Sequence, residues 1–576
     1  MQTITARPWV KFYPSEIPPI IDYPQEPLFK LLTESAKKHP DWVAISYLGK
    51  KITYRELDEL ANQFANGLIP LGITKGSKVA LILPNVPQFV FCFFGILKSG
   101  ATVVPCNPLY REKELEFQLQ NSEAVAVVLL NNIVGQNNFY QEFEKCRPRL
   151  TRLKHVFVTS VTDYLPPVKK QLAGPIRKIH TLQKEGAIKL TNYVRDQSKS
   201  EPNLDPLGID PKNDIAIIQY TGGTTGISKG AMLTHENIVS NSVIVANWVG
   251  ISQKQETLLA AIPFFHIYGL TDAMNAAIYA NQRIVLLPSF NPKEVLETIE
   301  KEKVQVFPGV PTMYVALLHH PDLAKYSLSS VERCVSGGAA LPLEVQKKFN
   351  AATGGNLVEG YGLTEASPVT HVNILRPDAV KKEGSIGVPI PNTDAKIVDI
   401  ETGTKDLAEG EVGELAVKGP QVMKGYWKSE DETKNVFRGE WLLTGDIAKQ
   451  DKDGFFFIVD RKKDLIDASG FKVWPRDVEE VLYTHPDIKE AAVIGVPDEY
   501  RGETVKAYVV LKDKSKNPGA EAIKAFCKER IASYKVPKIV EFVDDLPKSL
   551  VGKVLRRKLR EQEEQKSAAQ SESPSA

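Results

Sequence analysis

Short runs dominated by apolar and β-branched residues recur along the chain, with helical stretches between them. They include "KVALILPN" from Lys78, "AVAVVLL" from Ala124, "HVFVTS" from His155, "IAIIQ" from Ile215, "RIVLLP" from Arg283 and "VQVFPGVP" from Val304. A strand wetted on one face alternates polar with apolar; these runs read as strands covered on both faces. Between them lie segments with helical periodicity. "TYRELDELANQFANGL" from Thr53 sets Leu57, Leu60, Ala61, Phe64 and Leu68 on one side, and Thr53 with Glu56 forms a capping box at its start. Strands separated by helices predict an α/β architecture with largely parallel sheets.

The pattern changes towards Asp460. "GELAVKGPQVMKGYW" and "GFFFIVD" read as short antiparallel strands. After them, "RKKDLIDASGFKVWPRDVEEVLYTHP" leads into a helix with Pro475 in its first turn, then strands at "AAVIGV" and "KAYVVLK". We divide the chain into a large domain over 1–460, a hinge over 461–464, a small α+β domain over 465–562 and a disordered tail over 563–576. The tail, "EQKSAAQSESPSA", is assigned on its low complexity. No tandem repeat is present.

Charge and cysteine usage narrow the function classes. Lys+Arg number 72 against 70 Asp+Glu, a net charge of +2, without the basic excess of a nucleic-acid binder. Five scattered cysteines make neither a disulfide framework nor a zinc knuckle and suit a reducing compartment. The N-terminus is broken by prolines, and the longest apolar stretch, "VPQFVFCFFGIL", is too short to span a bilayer. The reading is a soluble, cytoplasmic protein. The basic run Lys553 to Arg560 keeps a peripheral contact with the inner face of the membrane open, against the plainer reading of a solvated helical face. Oligomeric state is not legible, a homodimer included.

"YTGGTTGISKG", from Tyr220 to Gly230, carries the first chemistry. A Walker loop needs Gly, four residues, then Gly-Lys-Ser/Thr; here Lys229 is followed by Gly230, so a P-loop is disfavoured. Glycines that let backbone N–H groups approach an anion, with three threonines and a lysine, still make a phosphate grip. A flexible surface turn is the alternative on the loop alone.

The loop is joined by "VEGYGLTEASP" at Val358, "WLLTGDIA" at Trp441, "DRKKD" at Asp460 and "PKSLVGKVLRR" at Pro547. These five segments, in this order, resemble the acyl-adenylate-forming superfamily of acyl-CoA synthetases, luciferases and adenylation domains. The resemblance implies an α/β fold with a large multi-subdomain N-terminal domain, two αβα sheet layers plus a small β-barrel-like subdomain, and a small mobile α+β C-terminal domain. It implies ATP and Mg²⁺ as requirements and CoA as co-substrate.

By that resemblance Thr221, Gly222, Gly223, Thr224, Thr225, Gly226 and Lys229 hold the β- and γ-phosphates. Glu365 ligates Mg²⁺, with Thr221 and Thr364 offering oxygens nearby. Gly338 in "SGGAALP" lines the base pocket, and Glu359 and Gly360 lead to Tyr361, which stacks on adenine; a core aromatic is the plain alternative for Tyr361. Asp446 and Arg461 bind the ribose. Lys553 neutralises carboxylate and α-phosphate during attack, Lys463 is the hinge, and Gly470 flanks the pantetheine channel after rotation. His266 and Phe265 in "PFFHIYGL", with Gly309, border the acyl pocket; a lone histidine among aromatics reads as wall or gate rather than proton shuttle.

"AAIPFFHIYGL" and "GVPTMY" resemble the long-chain fatty acid–CoA ligase branch. Gly223 stands where serine is common, Ser228 where proline is, and Asp467 where some relatives carry lysine. The expected partners are fatty acid, ATP and CoA, and no nucleic acid. The competing readings are a fatty acyl-AMP ligase, an aryl- or other carboxylate–CoA ligase, and a nucleotide-binding scaffold without activity.

Overall fold

The structure is a computed structural model that describes residues 7–130, 133–134, 137–166, 186–203, 207–221, 228–376, 379–380, 382–468, 471–498, 502–549 and 554–571. Two sheets dominate the large domain. In the first, eight strands run in the order Gly425–Tyr426, Lys229–Thr234, Ile215–Thr221, Thr102–Pro105, Lys78–Ile82, Ala126–Leu130, His155–Thr159 and Ala187–Lys189. All neighbours from Ile215–Thr221 onward pair in parallel, and the other end is an antiparallel edge. In the second, Arg283–Leu286 lies parallel between Val43–Tyr47 and Thr257–Ala260. The run at Val304 is no regular strand: Val306 makes single parallel bridges to Leu258 and Arg333, and these link the sheet onward to Arg333–Ser336 and Asn356–Gly362. Pro308 has no N–H to donate to the Thr257–Ala260 side, while on the other side Gly309 still bridges Ser336 in parallel.

Both sheets are buried on both faces, as the apolar runs predict. Val79 and Leu81 enter the main core while Ala80 and Ile82 enter a second one; Leu258 and Ala260 face the main core while Leu259 and Ala261 face a third. The helix Pro87–Lys98 is buried at every position. It packs on Tyr54–Leu68, whose capping box is formed by both predicted bonds, 3.2 Å to the Glu56 N–H and 2.8 Å back to its carboxylate. The helices touch because Gly95 has no side chain: a Cβ there would stand 2.9 Å from the Ala61 carbonyl oxygen.

Where the barrel-like subdomain is expected, Asp394–Val398, Gly413–Lys418, Trp441–Gln450, Phe437–Arg438 and Phe456–Arg461 form a five-stranded antiparallel sheet. The small domain follows as a second five-stranded sheet around the long hairpin Ile488–Asp498 and Gly502–Leu511, with the helix Pro475–Tyr483 starting on Pro475. The expected disordered tail is corrected over much of its length. A helix runs Arg556–Ser571, and Glu563 accepts from Lys506 at 2.6 Å and from Tyr508 at 2.7 Å. Leu559, one turn before Glu563, is buried and anchors the same face.

One lysine is wholly enclosed. Lys98 donates at 2.7 Å to both Asp58 and Asn62 on the facing helix, and burial lowers its amine pKa while Asp58 opposes. Removing the carboxylate leaves a buried charge unpaired. Asp58→Ala should therefore lower unfolding free energy by about 3–5 kcal/mol, and Lys98→Met by clearly less; denaturant unfolding of the two variants separates them.

Candidate active site

Strand ends converge on one cleft of about 1640 Å³. Ligands of open α/β sheets sit beyond the carboxyl ends of parallel strands, and the cleft obeys that rule. Thr221 closes Ile215–Thr221, the stretch Gly337–Gly338 follows Arg333–Ser336, and Glu359, Gly360 and Tyr361 lie on Asn356–Gly362. All of these line the cleft.

Thr221 and Lys229 face each other in the antiparallel pairing of Ile215–Thr221 with Lys229–Thr234. Gly222, Gly223, Thr224, Thr225 and Gly226, between those two strands in sequence, lie outside the described residues. Ser228 donates to the Thr221 carbonyl and draws the two ends together. Lys229 forms an ion pair with Glu432 and lies 5.3 Å from the Tyr426 ring centre. Tyr426 in turn donates to Glu365 at 2.7 Å, and the Glu365 carbonyl accepts from Met423 at 2.8 Å. Glu365 is thus oriented by the segment after the hairpin sheet. Thr364 begins the short turn Thr364–Ala366 beside it.

Asp446 is almost fully enclosed and holds two predicted partners at once. Tyr361 donates to its Oδ2 at 2.6 Å, and Arg461 Nε stands 3.2 Å from its Oδ1. The antiparallel register, which sets Asp446 opposite Arg461, makes the pair. Burial first, then Asp446, push the Tyr361 phenol well above its ordinary pKa, so the hydroxyl stays a donor. Its ring packs edge-on to His371, with centroids 5.9 Å apart. Gly338 adopts φ +79°, a conformation glycine takes without strain, and so the backbone turns back at the cleft wall. Burial also pushes the Glu359 carboxyl up to about 7, with the Arg476 guanidinium of the small domain pulling it down.

Phe265 and His266 line the cleft, and the Phe265 carbonyl accepts from Gln219 at 3.0 Å. The His266 ring nitrogen Nδ1 accepts from the Tyr268 N–H at 3.3 Å, a local turn contact that suits a wall. Gly309 stands behind the wall: a Cβ there would lie 2.7 Å from the Tyr314 ring, so the glycine serves packing. Lys463 lies in the turn Lys462–Asp464 at the mouth. Lys553 and Gly470 lie outside the described residues, although Val554, Leu555 and Arg556 line the cleft.

Residues of the large and the small domain line this one cleft, and family models match the chain across both. One described as AMP-binding enzyme matches residues 32–427, and one described as AMP-binding enzyme C-terminal domain matches 477–553.

The chain belongs to the AMP-binding enzyme family.

Among members of this family it is similar to the long-chain-fatty-acid–CoA ligase of Bacillus subtilis (strain 168), with 47% identity over 97% of this chain and 98% of that protein. Among solved structures it resembles the anthranilate CoA ligase AuaEII in complex with anthranoyl-AMP, at TM-score 0.83 and 29% identity, covering 95% of this chain and 99% of that one. It also resembles ATP-bound MatB from Rhodopseudomonas palustris, at TM-score 0.80 and 31% identity, over 93% and 98% of the two chains.

The sequence does not reveal the partners that hold Lys229 and Glu365 in place. Glu432 and Tyr426 carry no motif of their own, although Tyr426 sits in the quoted "MKGYW"; only the pairing of Gly425–Tyr426 with Lys229–Thr234 brings them to Lys229 and Glu365. Any anion bound by Lys229 competes with Glu432, a half-exposed carboxylate whose ion pair is worth about 0.2–1 kcal/mol. Glu432→Gln should therefore tighten pyrophosphate binding by up to about fivefold in a calorimetric titration. Unchanged or weaker binding would show that the pair does not compete.

Proposed function

We propose that the chain activates long-chain fatty acids in two steps. The acid attacks the α-phosphorus of ATP to give acyl-AMP and pyrophosphate, and the CoA thiol then takes the acyl group as a thioester with release of AMP. The single observation that carries this reading is that the Thr221–Lys229 strand ends, the Asp446–Arg461 pair and a stretch of apolar wall open into one cleft. That wall includes Val245, Ala246, Ala276, Leu258, Val306 and Val335, a surface for an alkyl chain.

Each residue has work that its environment suits. Lys229 and the backbone donors of the hairpin would hold the β- and γ-phosphates. Asp446 would accept from the ribose hydroxyls, with Arg461 beside it and Tyr361 against the base. Among the described residues no cluster of three or more His, Cys, Asp or Glu could cage a metal. A lone carboxylate with hydroxyls does fit Mg²⁺, which takes most of its oxygens from phosphate and water. Glu365 with Thr221 and Thr364 would hold it, and the ion supplies charge neutralisation on the triphosphate. Lys553 would neutralise carboxylate and α-phosphate during attack, where both reactants are anionic. Rotation about Lys463 would then withdraw it and bring Gly470 to the cleft for CoA. His266 serves as channel wall.

The runner-up is a fatty acyl-AMP ligase, which stops before the thiol step; pyrophosphate release from palmitate and ATP without thioester formation on adding CoA would favour it. The basic run after Lys553 offers little to a membrane. Arg556 and Arg560 are committed to Asp460, Asp464 and Glu479, and Arg557 to Glu561. No described helix is long and apolar enough to cross a bilayer.

Two experiments test the assignment. Asp446→Ala removes a charged hydrogen-bond partner of the ribose, a loss of about 1.5–3 kcal/mol, and should raise the KM for ATP about tenfold or more while fatty-acid preference stays. An unchanged ATP dependence removes Asp446 from the site. The second separates the half-reactions. Lys553→Ala should fail with palmitate and ATP yet convert supplied palmitoyl-AMP and CoA to thioester, while Lys463→Pro, with φ fixed at the hinge, should make palmitoyl-AMP and stall. Equal loss of both half-reactions in both variants rejects domain alternation.

A further inference from the structure

The apolar wall of the cleft ends in a charge pair. Side chains alternate between the faces of the strand Arg333–Ser336, so Arg333 and Val335 line the cleft while Cys334 is buried in the core on the other side. The parallel register sets Ser336 beside Glu359 and Arg333 beside Asn356. Arg333 therefore lies about 10 Å below the carboxyl end of the strand, away from Tyr361 and Asp446. Leu258 and Val306, both apolar and both lining the cleft, are bridged into the same row as Arg333.

The guanidinium leaves the sheet and crosses to the opposite wall. That wall is the helix His235–Val249, which turns Val245 and Ala246 to the cleft. Arg333 Nη1 donates to the Val249 and Gly250 carbonyls at its C-terminal end, at 3.2 and 2.9 Å. Carbonyls there lack intrahelical partners and favour a cation. Nη2 pairs with the buried Glu256, whose other oxygen accepts from Gln282 at 3.3 Å. Glu256 and Gln282 stand just before the strands Thr257–Ala260 and Arg283–Leu286, so a polar layer closes the amino ends of three strands. The Arg333 side chain keeps 15% of its surface and lines the cleft, so a chain end can rest on it.

We infer that Arg333, held by Glu256 and by the helix end, is the end stop of the acyl recess and sets the longest fatty acid it takes in full. This deepens the proposed function and rests on it. An alkyl chain coming from the carboxyl ends of the strands gains with each methylene laid against Val335, Val306 and Leu258. To pass the polar layer it would have to separate a buried ion pair, which costs more than another methylene returns.

The test follows kcat/KM for thioester formation along the saturated acids from octanoate to eicosanoate. While room remains, each added methylene should raise it by up to about fourfold, and at the stop the rise should end in an elbow. Two double variants remove the charge pair together and differ only in bulk. Arg333→Ala/Glu256→Gln empties the end of the recess and should move the elbow to acids longer by about two methylenes or more. Arg333→Met/Glu256→Gln refills it with an unbranched side chain and should leave the elbow close to that of wild type. Ala280→Leu, in the lining two residues before Gln282, should move it to shorter acids; it disturbs no ion pair and decides alone if the double variants do not fold. A wild-type profile without an elbow overturns the inference. So does an elbow that stays in place in Arg333→Ala/Glu256→Gln or in Ala280→Leu, or one that moves equally in both double variants. Any of these with wild type active on the series overturns this inference alone; a wild type that acts on no member overturns the fatty-acid reading as well.

Discussion

The cleft depends on the last two residues of one strand. Successive side chains of a strand point to opposite faces, so Asp460 and Arg461 at the end of Phe456–Arg461 address different neighbours. Arg461 turns to Asp446 and the nucleotide side. Asp460 turns to the small domain: its Oδ2 accepts from the Arg476 N–H at 2.9 Å and its Oδ1 from Arg556 Nη1 at 3.3 Å. One register thus sets both the ribose-side pair and the seat of the C-terminal domain. A shift of this strand by one residue would exchange the two partners and dismantle both.

Around that strand the cleft is prepared before any ligand arrives. Tyr361 and Arg461 fix Asp446 from two sides, and Tyr426 orients Glu365. Charged groups held in place by neighbours need little reorganisation when a charged substrate enters, and this is where electrostatic catalysis gains most. Lys229 is the exception, since its partner Glu432 is half-exposed and its ion pair correspondingly weak. Lys229, the cation proposed for phosphate, is held loosely, and Asp446, the carboxylate proposed for ribose, is held firmly. A group that must exchange partners and a group that must stay still are thereby distinguished by burial.

How much of this was legible in the sequence follows from what is local. The doubly buried strands, the Thr53–Glu56 box and the Pro475 helix start depend on residues close in the chain, and each formed as read. The run at Val304 looked like its neighbours but pairs only through isolated bridges, since Pro308 offers no N–H to the Thr257–Ala260 side. The tail was read as disordered on composition, yet Leu559 and Glu563 give one face of its helix something to bind, which composition does not encode. At the site, Asp446 and Arg461 were assigned to one ribose by resemblance, while their ion pair is a consequence of register. Glu432 and Tyr426 were invisible because their meaning comes from what they touch.

The same geometry would let the small domain reorient without unfolding, as the proposed alternation requires. Its apolar clusters, built from Ile466, Val493 and Val509 on one side and Ile494, Tyr508 and Leu559 on the other, share no buried residue with those of the large domain. What crosses the boundary at the strand end is polar: Arg556 to Asp460, and Arg476 to Asp460 and to the Ile458 carbonyl at 2.9 Å. Water can replace such contacts nearly in kind, whereas separating a shared apolar core exposes surface at about 25 cal/mol per Å². Arg556 also grips Asp464 and, through both oxygens, Glu479. Those two partners lie beyond Lys463 and travel with the small domain, so only the Asp460 contact need break when the hinge turns. In such a movement the guanidinium would keep two of its three carboxylate partners.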